Sequence, residues 1–141
     1  MRCQDLMKKN LECASPQDTV QTAARRMRDT NIGFLPVCDQ SKRVLGTVTD
    51  RDLAIRVLAD GGPASTRIED VMTREVVCCG PEDDLKTAEG LMAKNQKSRI
   101  MCIDKSGQLV GIISLSDIAQ HESGTGPAET LRQVTTREAR A

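Results

Sequence analysis

The 141-residue chain contains no tryptophan, no tyrosine and a single phenylalanine, Phe34. One ring cannot build a stacking platform, so aromatic stacking is excluded as the main device for holding a base. Histidine is equally scarce, His121 being the only one, and no Cys-His or Ser-His partnership shows in the local pattern. The six cysteines, Cys3, Cys13, Cys38, Cys78, Cys79 and Cys102, include no C-x-x-C pair, which removes the usual zinc-ribbon and thioredoxin-like spacings. There is no excess of either charge: Lys plus Arg and Asp plus Glu each total 20. The chain therefore carries no general field to attract nucleic acid or an anionic bilayer. No apolar run approaches the roughly 18 residues of a membrane span. The opening Met1-Arg2-Cys3-Gln4-Asp5 leads into no hydrophobic stretch of the secretory kind. These exclusions leave a non-enzymatic, cytoplasmic protein, with neither membrane nor nucleic acid among its expected partners and no metal or catalytic cofactor implied.

Self-similarity is what the chain does have. Shifted by 65 residues, Arg2 to Ala54 aligns with Arg67 to Ala119 without a gap, and 14 of the 53 pairs are identical, against about three or four expected from ordinary residue usage. Among them are Asp5/Asp70, Met7/Met72, Cys13/Cys78, Pro16/Pro81, Ala23/Ala88, Met27/Met92, Asp39/Asp104, Gly46/Gly111 and Asp52/Asp117. The chain is a tandem of two like repeats: 1–59, a turn-rich linker 60–66, and 67–121, followed by an unrepeated tail 122–141. Either repeat alone, at about 60 residues, would be marginal, so the two need each other.

Each repeat predicts the order β-α-β-β-α. A short strand at Leu11 to Ala14 (Val76 to Cys79) meets a proline. Apolar residues then fall on one helical face at Val20, Ala23, Ala24 and Met27, with Leu85, Ala88, Leu91 and Met92 as their counterparts. Asp18 and Gln21 have the spacing of a capping box, placing the helix start just after Pro16. Strands follow at Phe34 to Cys38 and Val44 to Thr49, and at Arg99 to Ile103 and Leu109 to Ser114. Helices Asp50 to Ala59 and Leu115 to His121 close the repeats. The segment 122–127 reads as linker, and Ala128 to Arg140 as a weak helix with Leu131 and Val134 on one side, much of it mobile.

Cys13, Cys38, Cys78 and Cys102 fall among apolar residues in expected strands, where a reduced thiol is a small hydrophobe. The adjacent Cys78-Cys79 differs, because one of the two must face away from the core.

The chemistry-bearing element is Gly46-Thr47-Val48-Thr49-Asp50-Arg51-Asp52, matched by Gly111-Ile112-Ile113-Ser114-Leu115-Ser116-Asp117. Each ends a strand on a hydroxyl residue, opens a helix and places an acid three positions on. That spacing caps any helix. It also suits a nucleotide, because a helix N-terminus receives phosphate and a carboxylate accepts from a ribose diol.

With the Asp5-Leu6-Met7 and Asp70-Val71-Met72 starts, Pro16 and Pro81, and Ile32-Gly33-Phe34-Leu35-Pro36-Val37, the repeat resembles the CBS (cystathionine-beta-synthase) domain, and the tandem resembles a CBS pair, or Bateman module. The resemblance implies an α+β fold of two repeats packed about a pseudo-twofold axis through their sheets, with two adenine-nucleotide clefts. One cleft would use Thr47, Thr49, Arg51 and Asp52 with Val77, Cys78, Lys97, Ser98 and Arg99. The other would use Ile112, Ser114, Ser116 and Asp117 with Glu12, Cys13, Ile32 and Gly33. Lys97 and Arg99 predict tighter phosphate binding in the Asp52 cleft, while Met101, standing where the first repeat has Pro36, predicts a looser turn there.

The function implied is a regulatory sensor of AMP, ADP or ATP, or of NAD or S-adenosylmethionine, acting in trans on a protein target. The ligand is regulatory and not a catalytic cofactor. A homodimer is expected because Leu53, Ala54, Ile55, Val57 and Leu58 more than cover one helix face. Two other readings stay open: a ligand-free interaction scaffold of the same fold, and a thiol or metal sensor through Cys78-Cys79.

Overall fold

The computed structural model describes residues 1–121 and 128–134. In chain order its elements are α1 (Cys3–Leu6), α2 (Val20–Thr30), β1 (Phe34–Cys38), β2 (Val44–Thr49), α3 (Asp50–Asp52) running into a π-helix (Leu53–Leu58), a 3-10 turn (Ile68–Asp70), β3 (Cys78–Cys79), α4 (Leu85–Asn95), β4 (Arg99–Ile103), β5 (Leu109–Ser114) and α5 (Leu115–His121). The architecture is α+β and built from two like repeats. The chain divides into two compact units, Met1–Leu11 with Val77–Ala141, and Glu12–Val76. They are called here the split unit and the continuous unit.

In the continuous unit β1 and β2 form an antiparallel pair in which Phe34 faces Thr49 and Val37 faces Gly46. Ala14 bridges Val37 in parallel on one side, and Thr73 bridges Thr47 antiparallel on the other. Val20, Met27, Leu35, Val37, Val48 and Ile68 make its core. In the split unit the sheet order is β3-β4-β5, with β3 parallel to β4 and Lys8 bridging Ile112 at the β5 edge. Its core holds Cys3, Leu85, Met92, Ile100, Ile113 and Ile118.

The glycines at the matched sheet edges leave no room for a side chain unless a neighbour shifts. A Cβ on Gly46 would stand 2.5 Å from the Thr73 carbonyl oxygen, and one on Gly111 would overlap the Met7 side chain.

Several local expectations are corrected. The first long helix starts at Val20 with Thr19 as its cap, the Thr19 hydroxyl accepting the Thr22 N–H at 3.2 Å. Asp18 is committed instead to the preceding turn, where it accepts the Ser15 N–H at 2.9 Å. The expected strand Leu11 to Ala14 shrinks to one bridge. Ala14 donates to Pro36 O at 2.8 Å and accepts from the Cys38 N–H at 2.9 Å, but the next rung would need an N–H that Pro36 does not have. Met101, the counterpart of Pro36, supplies that rung by donating to Val77 O at 3.3 Å. Met101 therefore lengthens a ladder inside β4 and loosens no turn. The helix expected from Asp50 to Ala59 keeps α geometry only through Asp52 and then widens, with Ala59 donating five residues back to Ala54 at 2.9 Å.

Residues 128–134 are helical, but the buried side is Thr130 with Val134, while Leu131 is 51% exposed. The linker expected at 122–127 and the far end of the expected tail helix lie outside the described residues.

Candidate functional site

The two Gly-to-Asp elements fold as reciprocal caps. The Thr49 hydroxyl accepts the Asp52 N–H at 3.1 Å, and Asp52 Oδ2 accepts the Thr49 N–H at 3.0 Å. The Ser114 hydroxyl accepts the Asp117 N–H at 3.1 Å, and Asp117 Oδ2 accepts the Ser114 N–H at 2.9 Å. Each bond satisfies a helix N–H or a strand-end N–H that the backbone cannot pair. In both carboxylates Oδ2 serves the cap, and Oδ1 is directed to a cation. For Asp117 that cation is Lys8, with Nζ at 3.1 Å; for Asp52 it is Arg56, at the longer distance of 3.8 Å. Burial alone raises the Asp117 carboxyl, but the Ser114 N–H and hydroxyl and the Lys8 ammonium outweigh it and hold the group below its ordinary value.

Around Ser114 the split unit forms a cavity of about 280 Å³ lined by Ser98, Arg99, Ser114, Leu115, Ser116, Ala119 and Leu131. Strand pairing explains the grouping: Arg99 lies directly opposite Ser114, and the Leu115 N–H donates to Ser98 O at 2.8 Å. Two hydroxyls, one guanidinium and the start of α5 thus share a wall with apolar Leu115, Ala119 and Leu131. Such a lining can meet a phosphate or sugar hydroxyl at one end and an apolar ring at the other.

The remaining candidates distribute as follows. In the split unit the Lys97 N–H closes the end of α4 on Met92 O at 2.9 Å, its side chain exposed. Val77 and Cys78 are half-buried on β3 or beside it, and Ile112 is paired with Met101 and bridged by Lys8.

In the continuous unit the Asp50 N–H donates to Gly33 O at 3.0 Å. Gly33 leaves clear the space in which the Asp50 carboxylate lies. Ile32 is 45% exposed, Arg51 is exposed with its N–H on Asp50 Oδ1 at 2.8 Å, and Thr47 is tied by its backbone to Thr73. Glu12 and Cys13 line a second cavity of about 390 Å³ with Arg26, Asp29 and Thr30.

Each grouping implied by the resemblance draws on both units. Within the split unit, Ser98 and Arg99 line one cavity with Ser114 and Ser116. Lys8 and Arg26 were missed from sequence. The repeat offset pairs Lys8 with Thr73 and Arg26 with Leu91, so no repeated pattern marks either.

The family model for the CBS domain matches residues 3–59 and 68–124. The CBS domain-containing protein YhcV of Bacillus subtilis is 37% identical over 118 residues, covering 84% of this chain and 83% of that protein. Among solved structures, Hypoxic Response Protein I with two coordinated zinc ions superposes with a TM-score of 0.78 at 30% identity, over 87% of this chain and 100% of that one. The CBS domain pair of protein MJ0100, solved with 5′-methylthioadenosine and S-adenosyl-L-methionine, superposes with a TM-score of 0.76 at 26% identity, over 85% and 94%. Among the described residues no group of three or more His, Cys, Asp or Glu is arranged to hold a metal ion, and no helix is long and apolar enough to cross a membrane.

Proposed function

This chain belongs to the CBS domain family, and from that premise we propose that it is a regulatory module that binds an adenosyl ligand and acts in trans on a protein target, without catalysis of its own. The observation that carries the proposal is the meeting of Arg99, Ser114 and Ser116 in one cavity beside the Asp117 cap. Arg99 and the hydroxyls suit phosphate, the Asp117 carboxylate beside them suits a ribose diol that would displace Lys8, and Leu115, Ala119 and Leu131 suit the purine face. The MJ0100 complex supports an adenosyl group as the common element of the ligand. The Thr49 to Asp52 element, with Arg51, is the second and weaker candidate, because its known cation, Arg56, lies farther from the carboxylate. A cytoplasmic setting accords with six free cysteines. A homodimer accords with the exposure of Ile55 at 47% and Leu58 at 78%.

The test is a thermal-shift panel of AMP, ADP, ATP, NAD and S-adenosylmethionine, with GTP as control, on the wild type, Arg99→Ala, Asp117→Ala and Asp52→Ala. Melting is followed by circular dichroism, since the chain has no Trp or Tyr. A ligand at 100 times its Kd adds about 2.7 kcal/mol, which moves Tm by several degrees in a protein of this size. An adenosyl-specific shift, lost in Asp117→Ala and Arg99→Ala, is expected. Sedimentation of the same samples is expected to give a dimer mass. A flat panel in folded, ligand-free protein would overturn the sensor and leave the interaction scaffold. A shift lost only in Asp52→Ala would move the site to the continuous unit.

A further inference from the structure

The cysteines form two groups of very different character. In the split unit Cys79 Sγ lies 3.5 Å from Cys102 Sγ and 3.7 Å from Cys3 Sγ, with all three side chains buried. Burial, the neighbouring Cys79 and then the acidic charges of Asp83 and Asp84 push the Cys3 thiol up to about 12, and the Cys102 contact with burial pushes Cys79 up as well. Thiols so placed are neither ionised nor reachable. In the continuous unit Cys38 Sγ donates to Cys13 Sγ at 3.4 Å. Cys38 is buried, but Cys13 is half-buried and opens into the 390 Å³ cavity beside Arg26.

Backbone geometry fixes this second pair. Ala14, next to Cys13, is held to β1 by its N–H on Pro36 O and by the Cys38 N–H on its own carbonyl, at 2.8 and 2.9 Å. The two thiols therefore stand on the same face at a diagonal of a short parallel ladder. A disulfide needs about 2.05 Å between sulfurs, so the pair has about 1.4 Å to close, and from a diagonal position that closure draws on the short Cys13–Ala14 backbone as well as on side-chain rotation.

Electrostatics favours Cys13 as the attacking member. The Cys38 hydrogen bond, acting first, and the charges of Lys42 and Arg26 outweigh burial and pull the Cys13 thiol down to about 7. The same contact, with Cys13 as acceptor, pushes Cys38 up. Arg26 is anchored in place by donating through Nη1 to the Cys13 carbonyl.

The repeat supplies an internal control. Cys78 is the counterpart of Cys13, but the position matching Cys38 is Ile103. The first repeat alone pairs an accessible thiol with a second thiol at this place.

We propose that Cys13 and Cys38 are a peroxide-reactive thiol pair, with Cys13 the attacking thiol and Cys38 the resolving one. The Cys13 thiolate attacks the terminal oxygen of a hydroperoxide. Its O–O bond breaks, the alcohol or water leaves with a proton, and Cys13 becomes a sulfenic acid. Cys38 sulfur then attacks Cys13 sulfur, the S–O bond breaks, and water leaves with the Cys38 proton. One peroxide is reduced and two thiols are oxidised to one disulfide. The inference does not depend on nucleotide binding. It moves thiol sensing away from Cys78-Cys79, where Cys79 is committed to a buried cluster.

The test treats the full reduced chain with stoichiometric hydrogen peroxide, counts thiols after denaturation and maps the non-reduced digest. The expected result is a fall from six thiols to four, a mass lower by two hydrogens, and one cross-linked peptide joining Cys13 to Cys38. In Cys38→Ser the reaction is expected to stop at a Cys13 sulfenic acid, trapped by a 1,3-dione. In Cys13→Ser the other thiols are expected to stay reduced at the same dose. The wild-type digest decides the matter even if a variant folds poorly. Unchanged thiols, a linkage within the Cys3, Cys79 and Cys102 group, a disulfide between chains through Cys78, or equal loss in Cys13→Ser would each overturn the proposal.

Discussion

The caps at Thr49 to Asp52 and Ser114 to Asp117 agree to within about 0.1 Å in both reciprocal hydrogen bonds, yet their surroundings differ. Asp117 is 8% exposed and paired with Lys8 from a distant part of the chain. Asp52 faces Arg56 on the next turn. Beyond the first cap the helix widens to π geometry, and beyond the second it stays α. Local spacing therefore dictates the cap, while what the free carboxylate oxygen meets is set by which segment lies on the neighbouring sheet edge. Lys8 itself bridges Ile112 at the β5 edge, and its counterpart Thr73, bridging Thr47 at the β2 edge, carries no charge.

That edge is where a substitution separates the units most strongly. Gly46→Ala would drive a methyl group against the Thr73 carbonyl, which is held by a pair of 2.9 Å bonds between Thr47 and Thr73. Backbone cannot swing aside as a side chain can. Loss of both bonds and the overpacking together are expected to cost about 3 kcal/mol. Gly111→Ala meets Met7 instead, whose Sδ and Cγ can rotate away while its Cβ, at 2.7 Å, moves only with the chain, and it is expected to cost less, about 1 to 2 kcal/mol. Urea denaturation of the two variants measures the difference, and equal costs would mean that Met7 is as immovable as backbone.

The next largest contrast lies in the caps. Asp117→Ala removes the acceptor of the Ser114 N–H and leaves Lys8 unpaired, for an expected loss of about 1 to 2 kcal/mol. Asp52→Ala loses the same cap but a longer ion pair and is expected to cost about 1 kcal/mol. Acid discriminates further. Because the folded Asp117 carboxyl sits below its ordinary value of 3.8, its contribution is fully present above that value and disappears as pH falls through the folded one. Thermal melts from neutral pH down through this range are therefore expected to show a shallower acid loss in Asp117→Asn than in the wild type. Parallel acid limbs would assign acid sensitivity to other carboxylates.

Much of this was legible in the chain. A 65-residue offset with identical Gly, Asp and Pro positions fixes two like repeats, and hydroxyl-x-x-Asp spacing fixes both caps, because these depend on neighbours in sequence. The cavity that Ser98 and Arg99 share with Ser114 was less visible, although the hairpin register of β4 and β5 contains it. Lys8 beside Asp117 was not legible, since a backbone bridge at a sheet edge leaves no side-chain pattern. The shortened strand at Ala14 was legible in principle. Pro36 forbids a rung that Met101 permits, but only once the parallel register is known.

The smallest contrast is a single turn residue. Lys42 and Gly107 occupy matched positions in the two hairpins, and both hold positive φ, 63° and 82°. The left-handed conformation costs a residue with a Cβ about 1 to 2 kcal/mol, and glycine pays nothing there but loses about 0.5 to 1 kcal/mol of unfolded-state entropy. Lys42→Gly is thus expected to stabilise the chain by about 0.5 kcal/mol, raising Tm by about 1 to 2 °C. The Lys42 N–H bond to Asp39 O, at 3.0 Å, survives the change because it belongs to the backbone. The substitution also removes one of the positive charges that lower the Cys13 thiol, so the rate of Cys13 alkylation near neutral pH is expected to fall modestly as stability rises. Opposite signs in the two readouts would separate backbone relief from electrostatics at one residue. A fall in both would show that the Lys42 side chain holds the hairpin through a contact worth more than the strain it relieves.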